Sequence, residues 1–272
     1  MLQLLTALRF YATGCFQMVD GDLFGVHKST VSRILILILI LKNQYIRFAP
    51  TGETSAGFYR RAGFPGVIGA IDCTHIPSQN PGGENGELFR NRKSYCSINV
   101  QVVFDVTNHD EKAQITNIVA RWPGSTHDSR IFDNSALLER HAFQGHLVGD
   151  NGYPCRAYLL TTILNPSTPA EKRYNTCHIA ARSLVERVLG VWKKRFPCLQ
   201  NGLRTKLDTT LAVIFALAVL YNFGKRLGDE VLPEFEVEYR IEHTEAEGEE
   251  HNAATANGNA VRRTLIENHF TA

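Results

Sequence analysis

Apolar residues recur at helical spacing in the first fifty residues of the chain. Leu4 and Leu8 stand one helical turn apart, and the leucines around them continue the same face. A second polar–apolar segment begins near Ser29, directly after a tight turn. Two short helices joined by such a turn are typical of a helix-turn-helix motif, although an ordinary helical hairpin gives the same pattern. The pattern predicts a small helical region over residues 1–50, followed by a linker at 50–55.

From Phe64 onward, the period of the pattern is that of β-strands. Residues 66–71 are a short apolar run that ends at Asp72. Residues 97–106 alternate apolar and polar side chains, and a similar run at 114–120 follows after a turn. Alternation of this kind predicts two half-buried strands that pair as a hairpin.

The remaining pattern mixes helices with one more strand. A helix is predicted from Ser125 to about His141, a strand at 146–148, and a further helix that carries Glu186. Strands interleaved with helices predict an α/β fold in which helices flank a mixed sheet. We expect this domain to cover residues 64–226.

Composition favours a soluble intracellular protein. Hydrophobic residues make up 44% of the chain, and the six cysteines show no CxxC pair, which is typical of reduced thiols. The apolar runs at 34–41 and 211–223 are too short to span a bilayer, and no secretory leader is evident, so no membrane partner is expected.

The net charge of +2 conceals an uneven distribution of charge. Residues 1–228 hold 26 Lys and Arg against 16 Asp and Glu, whereas residues 229–250 hold ten acids and only Arg240. A basic body suits a polyanionic partner such as DNA. The acidic stretch predicts a disordered C-terminal tail over residues 229–272.

Three acids stand in settings where a lone carboxylate is costly to bury. Asp72 ends an apolar run, Asp150 lies between Gly149 and Gly152, and Glu186 stands on an amphipathic helix. Like charges tolerate such settings, and each other, when a divalent cation lies between them. The order of the three acids predicts a metal-dependent enzyme that acts on phosphodiesters.

Each acid also has a simpler interpretation. Asp72 and Asp150 could be turn residues that accept backbone hydrogen bonds. Glu186 could pair with Arg182, one helical turn before it. Asp128 could cap a helix through the Ser125-x-x-Asp128 arrangement, or join the other acids as a metal ligand.

Carboxylates without a Cys or His partner select hard, oxygen-seeking ions. The expected cofactor is therefore Mg²⁺ or Mn²⁺ rather than Zn²⁺. The chain has no Walker loop, no GxGxxG after a strand, no GxSxG elbow and no HExxH, so the chemistries that those motifs carry are not indicated.

Basic residues at two places are candidates for DNA contact. The second helix of the N-terminal motif would present its exposed residues to a major groove, and a basic run follows Glu186. These candidates are Lys28, Ser29, Thr30 and Arg33 in the first place and Lys193, Lys194 and Arg195 in the second. Both sets could instead face solvent.

Five ordered motifs resemble those of the PIF/Harbinger transposases and of the nucleases derived from them. The motifs are residues 72–76, 123–130, 149–154, 165–175 and 185–196, and the resemblance runs from about Arg9 to Phe223. It implies an RNase H-like fold with a DDE metal site, in which Asp72, Asp150 and Glu186 are catalytic and Asp128 is a further ligand. Lys172, Arg173 and Arg187 lie within these motifs and join the candidates for DNA contact.

The resemblance also carries expectations about partners and location. It implies a DNA endonuclease or transposase in the nucleus, with the cytoplasm as a second location, a Myb-like DNA-binding partner and a homodimer. The alternative is a non-catalytic DNA-binding or chromatin adaptor that retains the nuclease fold.

Overall fold

The computed structural model describes residues 1–48, 51–106, 113–135, 137, 145–228 and 256–271. Three short helices open the chain: α1 (Leu2–Thr13), α2 (Gln17–Phe24) and α3 (Lys28–Ile36). A 3₁₀ turn and α4 (Lys42–Tyr45) follow. The predicted helical region is therefore present.

His27 caps α3 through its Nδ1 atom, which accepts a hydrogen bond from the Ser29 backbone N–H at 3.3 Å. One local prediction for this region is wrong. The segment that the sequence predicted as a linker is largely helical, since α5 (Thr51–Ala62) begins within it. The burial of Thr54, Gly57 and Phe58 on one face explains why this polar segment folds.

A five-stranded mixed sheet forms the centre of the molecule. Its strands are β1 (Val67–Pro77), β2 (Ser97–Val106), β3 (Ala113–Pro123), β4 (His146–Val148) and β5 (Leu159–Leu160). They lie in the order β3-β2-β1-β4-β5. The strand β2 is antiparallel to both its neighbours, whereas β4 and β5 run parallel to β1. The predicted mixed sheet and its hairpin are thus confirmed.

The first strand does not end where the sequence predicted. It continues past Asp72 to Pro77, because β2 pairs with it along that whole length, with Asp72 opposite Val102. Asp72 is therefore a residue within a strand and not a turn residue. Only the pairing with β4 ends before it, at Ala70.

Helices cover both faces of the sheet. They are α6 (Asp128–Asp133), α7 (Pro169–Arg195), α8 (Cys198–Asn201) and α9 (Leu207–Arg226). The helix predicted from Ser125 to about His141 is shorter at both ends, since α6 begins at Asp128 and ends at Asp133; residues 136 and 138–144 lie outside the described residues. The 27-residue α7 starts with a capping box, in which Thr168 and Glu171 satisfy each other's backbone N–H groups.

Alternate residues of β1 face two separate parts of the core. Ala70 belongs to the larger cluster, with Val185 and Trp192 of α7, whereas Ile71 belongs to the smaller one, with Phe132 of α6. Since side chains alternate along a strand, Asp72 points to the same face as Ala70. That face is the one that α7 covers.

The helix α9 is both apolar and built into the core. With 20 residues and a mean hydropathy of 1.6, it is long and apolar enough to cross a membrane, a property that buried core helices share. Its Asn222 is fully buried and exchanges hydrogen bonds with the backbone of Ile115, at 2.9 and 2.7 Å. The side-chain amide thereby provides hydrogen-bond partners for backbone groups of β3, which lies at the edge of the sheet.

The C-terminal residues differ from the predicted disordered tail. Residues 229–255 lie outside the described residues, but Ala256–His269 form a helix, α10, and Phe270 is buried beside Phe64 and Tyr174. A Cβ atom at Gly258 would stand 2.4 Å from the Cys155 carbonyl oxygen, so the backbone of α10 packs directly on the loop between β4 and β5. The acidic composition of 229–250 does not extend into this apolar-faced helix.

Candidate active site

The parallel register of β1 and β4 brings Asp72 and Asp150 together. Ala70 pairs with Val148 in this register. Asp72 and Asp150 each lie two residues beyond that pair, so the same step along both strands carries them to one edge of the sheet. In α/β folds, active sites lie at the carboxyl ends of parallel strands.

Each of the two carboxylates also accepts a local hydrogen bond. The Asp72 Oδ1 atom accepts from the Cys73 N–H at 2.8 Å, and the Asp150 Oδ1 atom accepts from the Gly152 N–H at 3.0 Å. The predicted turn interpretation is therefore correct in part for Asp150. These bonds orient the carboxylates without removing their remaining lone pairs.

The electrostatic environment of the two acids is unfavourable to charge. Burial raises the pKa of Asp72 well above its usual range, and the charges of Asp150 and Asp128 raise it further. Burial, then Asp128 and Glu186, raise the pKa of Asp150, against the opposing effects of Arg182 and the Gly152 hydrogen bond. The positive charge of Arg182 therefore only partly offsets burial and mutual repulsion in the cluster.

Asp128 belongs to this cluster and does not cap its helix. The N-cap residue of α6 is His127, which makes no side-chain capping bond. The Asp128 Oδ1 atom instead accepts a hydrogen bond from the Asn99 amide at 2.9 Å. Asn99 is buried on β2 and also donates to the Thr126 carbonyl, so it fixes the start of α6 relative to the sheet.

Glu186 lies on α7 and is paired with Arg182. Its Oε1 atom is 2.7 Å from the Arg182 Nη1 atom, and the two side chains are only 26% and 20% exposed. The predicted helical ion pair is therefore present. Arg182 also lowers the pKa values of Asp72 and Asp150, so it acts as an internal counter-charge for the whole cluster.

The four acids do not converge on one point. Across the described ranges, no three His, Cys, Asp or Glu side chains are close enough together to hold one ion. The four carboxylates nevertheless supply oxygen donors of the kind that Mg²⁺ and Mn²⁺ prefer.

The glycine beside Asp150 has a packing role that the sequence did not predict. A Cβ atom at Gly149 would stand 3.0 to 3.3 Å from the side chains of Tyr153, Ile71 and Leu159. The glycine therefore lets β4 approach the small core cluster closely. Space for a ligand beside Asp150 was the sequence-based expectation, and it stays a prediction.

The candidates for DNA contact on α3 are mostly exposed. Lys28, Ser29 and Arg33 are exposed, and Thr30 is half-buried. The Arg33 guanidinium donates to the Ser29 carbonyl and reaches the Thr30 hydroxyl at 3.5 Å. The opposite face of the helix, with Val31, is buried.

The candidates on α7 differ in their exposure and in their contacts. Lys172 and Arg187 are exposed, and Lys194 and Arg195 are half-buried. Arg173 donates to the Phe270 carbonyl, which the sequence could not predict. Lys193 donates to the His75 carbonyl at 3.0 Å, on the strand that carries Asp72.

Sequence reasoning missed three residues beside the acids. In the sequence, Asn99 is one polar position of an alternating strand, and Arg92 and Lys93 belong to none of the candidate motifs. All three come near the site through the long β1–β2 hairpin. The only sequence signal was the basic pair directly before β2.

This arrangement of acids on a mixed sheet defines a nuclease-like α/β domain, and comparison with known proteins agrees. The chain belongs to the DDE superfamily endonucleases, whose family model matches residues 71–222. It is 31% identical to rat "Putative nuclease HARBI1" and 30% identical to the human protein of that name, in both cases over 99% of this chain and 80% of the relative. These matches confirm the resemblance to the nucleases derived from Harbinger transposases.

A more distant relative comes from plants. The Arabidopsis thaliana protein named "Antagonist of like heterochromatin protein 1" is 25% identical over 84% of this chain and 63% of its own length. No solved structure matches the chain. Endonucleases of this superfamily generally use divalent metal ions.

Proposed function

We propose that this protein is a Harbinger-type DNA endonuclease that cleaves phosphodiester bonds with divalent metal ions. The observation that carries the proposal is the register of β1 and β4, which puts Asp72 and Asp150 side by side. Asp128 and Glu186 lie within electrostatic reach of this pair. The strand order β3-β2-β1-β4-β5 supports the RNase H-like assignment of the fold.

The donor chemistry of the four acids matches the cofactor that the family implies, although their spacing in the structure does not yet form a site for one ion. Asp72, Asp128, Asp150 and Glu186 would hold Mg²⁺ or Mn²⁺, since oxygen donors in a desolvated cluster need a cation. The bound metal would activate the attacking hydroxyl or water and stabilise charge on the leaving oxygen. Arg182 offsets part of the negative charge in the metal-free protein, and its pairing with Glu186 has to loosen for that acid to serve as a ligand.

The chain's own cations would hold the DNA. Lys193 donates to the carbonyl of His75 beside the acids, and the exposed residues of α3 lie on a separate helical region. The chain bends by 101° between Gln17–Phe24 and Lys28–Tyr45. Such an angle supports a helix-turn-helix, in which α3 would enter the major groove.

The expected partners and location complete the proposal. A nuclear location, a Myb-like DNA-binding partner and a homodimer follow from the Harbinger resemblance. In a homodimer, two active sites would cleave two DNA ends in one assembly.

A second candidate function is a non-catalytic DNA-binding or chromatin adaptor. Two observations favour it: Glu186 is engaged by Arg182, and one relative is named as an antagonist of a heterochromatin protein. The retention of all four acids supports the endonuclease instead, because an adaptor gains nothing from buried like charges.

A plasmid-nicking assay with Mg²⁺, Mn²⁺ or EDTA separates the two functions. We expect the wild type to nick DNA only with metal. Asp150→Asn keeps the size of the side chain but removes one charge, so nicking should fall by about a hundredfold or more. Asp72→Asn and Glu186→Gln should behave alike.

The matched control is Asp133→Asn. Asp133 lies on the same helix as Asp128 but pairs with Arg156 outside the cluster, so this variant should nick normally. Metal-independent DNA binding without nicking, by folded wild-type protein, would favour the adaptor. Nicking by Asp150→Asn at the wild-type rate would show that the proposed site is wrong.

A further inference from the structure

We propose that Arg92, Lys93 and Lys193 form a binding site for a DNA phosphodiester beside the acid cluster. Arg92 and Lys93 lie on the β1–β2 hairpin, and Lys193 lies on the last turns of α7. The choice of DNA as the source of the phosphate rests on the proposed function. The site itself rests on the positions of the three cations.

Lys193 donates to the backbone carbonyl of His75 on β1, and the turn that carries Arg92 and Lys93 is connected to the His75 ring through Ser97. The His75 ring lies within electrostatic reach of Lys193, Lys93 and Arg92, and of Asp128. The charges of Asp72 and Lys93 both act on the pKa of Lys193, which Asp72 raises and Lys93 lowers. Two distant segments of the chain therefore place their positive charges together at the border of the acid cluster.

The charges of these cations are not neutralised by nearby carboxylates. Among the described residues, none of the three forms an ion pair with an Asp or Glu. Arg92 contacts the His127 ring, with its Nη2 atom 2.9 Å from Nε2, and Lys193 donates to a backbone carbonyl. Like charges held together in this way favour an anion between them.

The turn that carries Arg92 and Lys93 is firmly built. Asn91 is buried, and its Oδ1 atom accepts hydrogen bonds from the Lys93 and Tyr95 N–H groups at 2.9 and 3.3 Å. Its amide donates to the Ser97 hydroxyl at 3.0 Å. Ser94 adopts a left-handed φ of 65°, which non-glycine residues rarely do.

The same network connects the turn to the strand of Asp72. The Ser97 hydroxyl lies 3.0 Å from the Asn91 amide and 3.1 Å from His75 Nδ1. The backbone that carries Arg92 and Lys93 is thus held in place relative to the strand of Asp72. A pre-positioned anion site costs little ordering entropy when the ligand binds.

Such a site would solve an electrostatic problem of the proposed nuclease. DNA phosphates are repelled by Asp72, Asp128 and Asp150 unless positive charge is supplied nearby. Three cations at the border of the cluster would hold one phosphate of the strand and direct the next towards the acids.

The test is DNA binding in EDTA, where cleavage is not measured. A short fluorescent duplex is titrated with the wild type, Arg92→Gln and Lys93→Gln, and fluorescence anisotropy is followed over a series of salt concentrations. Each substitution should weaken binding about tenfold, as expected for one charge-assisted contact, and lower the salt slope by about one. Both side chains are exposed, so the variants should fold, which a thermal melt checks.

Two kinds of control accompany these variants. Arg263→Gln removes an exposed charge from α10 and should bind as the wild type does. Arg92→Lys and Lys93→Arg keep the charges and should retain most of the binding, which separates charge from damage to the turn.

The proposal is overturned by any of three results: wild-type affinity in both neutral variants, an equal loss in Arg263→Gln, or no binding by the wild type. Failure of the proposed function gives a different pattern. If the wild type never nicks DNA but Arg92→Gln and Lys93→Gln still lose affinity, the phosphate site stands and the endonuclease does not.

Discussion

The imidazole of His178 lies on the buried face of α7, in a cluster of aromatic rings. Its Nε2 atom is 2.9 Å from the Leu160 carbonyl oxygen, so Nε2 carries the proton of the neutral ring. The rings of Phe64 and Tyr174 both lie 5.9 Å from it, measured between centroids. Burial, against the effect of the Leu160 hydrogen bond, lowers the pKa of His178 to about 4.

This lowered pKa predicts a loss of stability in mild acid. In the unfolded chain, His178 binds a proton once the pH falls below its ordinary pKa of about 6.5. In the folded protein, the ring stays neutral until the pH falls to about 4. Stability is therefore full above that unfolded value and falls as the pH drops through this window. We expect His178 to contribute about 2 kcal/mol of the loss between pH 7 and pH 5.

Urea unfolding of the wild type and His178→Gln at both pH values measures the effect. Glutamine keeps a hydrogen-bond donor but does not titrate, so the loss between pH 7 and pH 5 should be smaller by that amount. His269→Gln, at an exposed position on α10, is the control. An equal loss in all three proteins would assign the acid sensitivity to other groups.

The acids of the site show what residue spacing can and cannot predict. The sequence identified Asp72, Asp150 and Glu186, because charge in an apolar or glycine-rich setting is visible without a structure. The sequence allowed two roles for Asp128, helix cap or metal ligand. Its hydrogen-bond partner, Asn99, argues against the cap but lies on a strand 29 residues earlier. Contacts of that range depend on the fold and leave no local pattern.

At the scale of elements, periodicity predicted the long and regular segments. The pairing of β2 with β3 and the apolar face of α7 are as expected, since each repeats its pattern over many residues. The prediction that β2 is half-buried is wrong, because every one of its residues is buried. The two-residue β5 was missed, because so short a strand has no period. The end of β1 was misplaced, because pairing with β2 overrides the polar residues after Ile71.

The C-terminal helix gives the element-scale prediction. Phe270 is 5% exposed and lies 5.6 Å from Phe64 and 5.7 Å from Tyr174, measured between ring centroids. Removing the ring should leave a cavity in this cluster, so Phe270→Ala should lower the free energy of unfolding by about 3–5 kcal/mol.

Denaturant unfolding tests this, with Leu227→Ala as the control, because Leu227 is 71% exposed and its loss should cost little. A disordered tail, which the sequence predicted, would make Phe270→Ala as harmless as the control.

At the scale of the whole molecule, two of the places that carry positive charge are candidates for DNA contact and lie far apart in the sequence. The exposed residues of α3 form one, and the cations beside the acids form the other. Because nonspecific DNA affinity sums over phosphate contacts, both places should contribute to the salt dependence of binding. Their contributions should add if the two places contact different phosphates.

The double variant Lys28→Ala/Arg33→Ala tests the contribution of α3. Both side chains are exposed while the opposite face of the helix is buried, so the protein should keep its fold and its melting temperature. DNA affinity should fall, and the salt slope should decrease by about two if both residues meet phosphates. The matched control is Lys206→Ala/Arg263→Ala, which removes equal charge from two other exposed positions. An unchanged slope in Lys28→Ala/Arg33→Ala would remove α3 from the DNA interface and leave the cations beside the acids as the main contact.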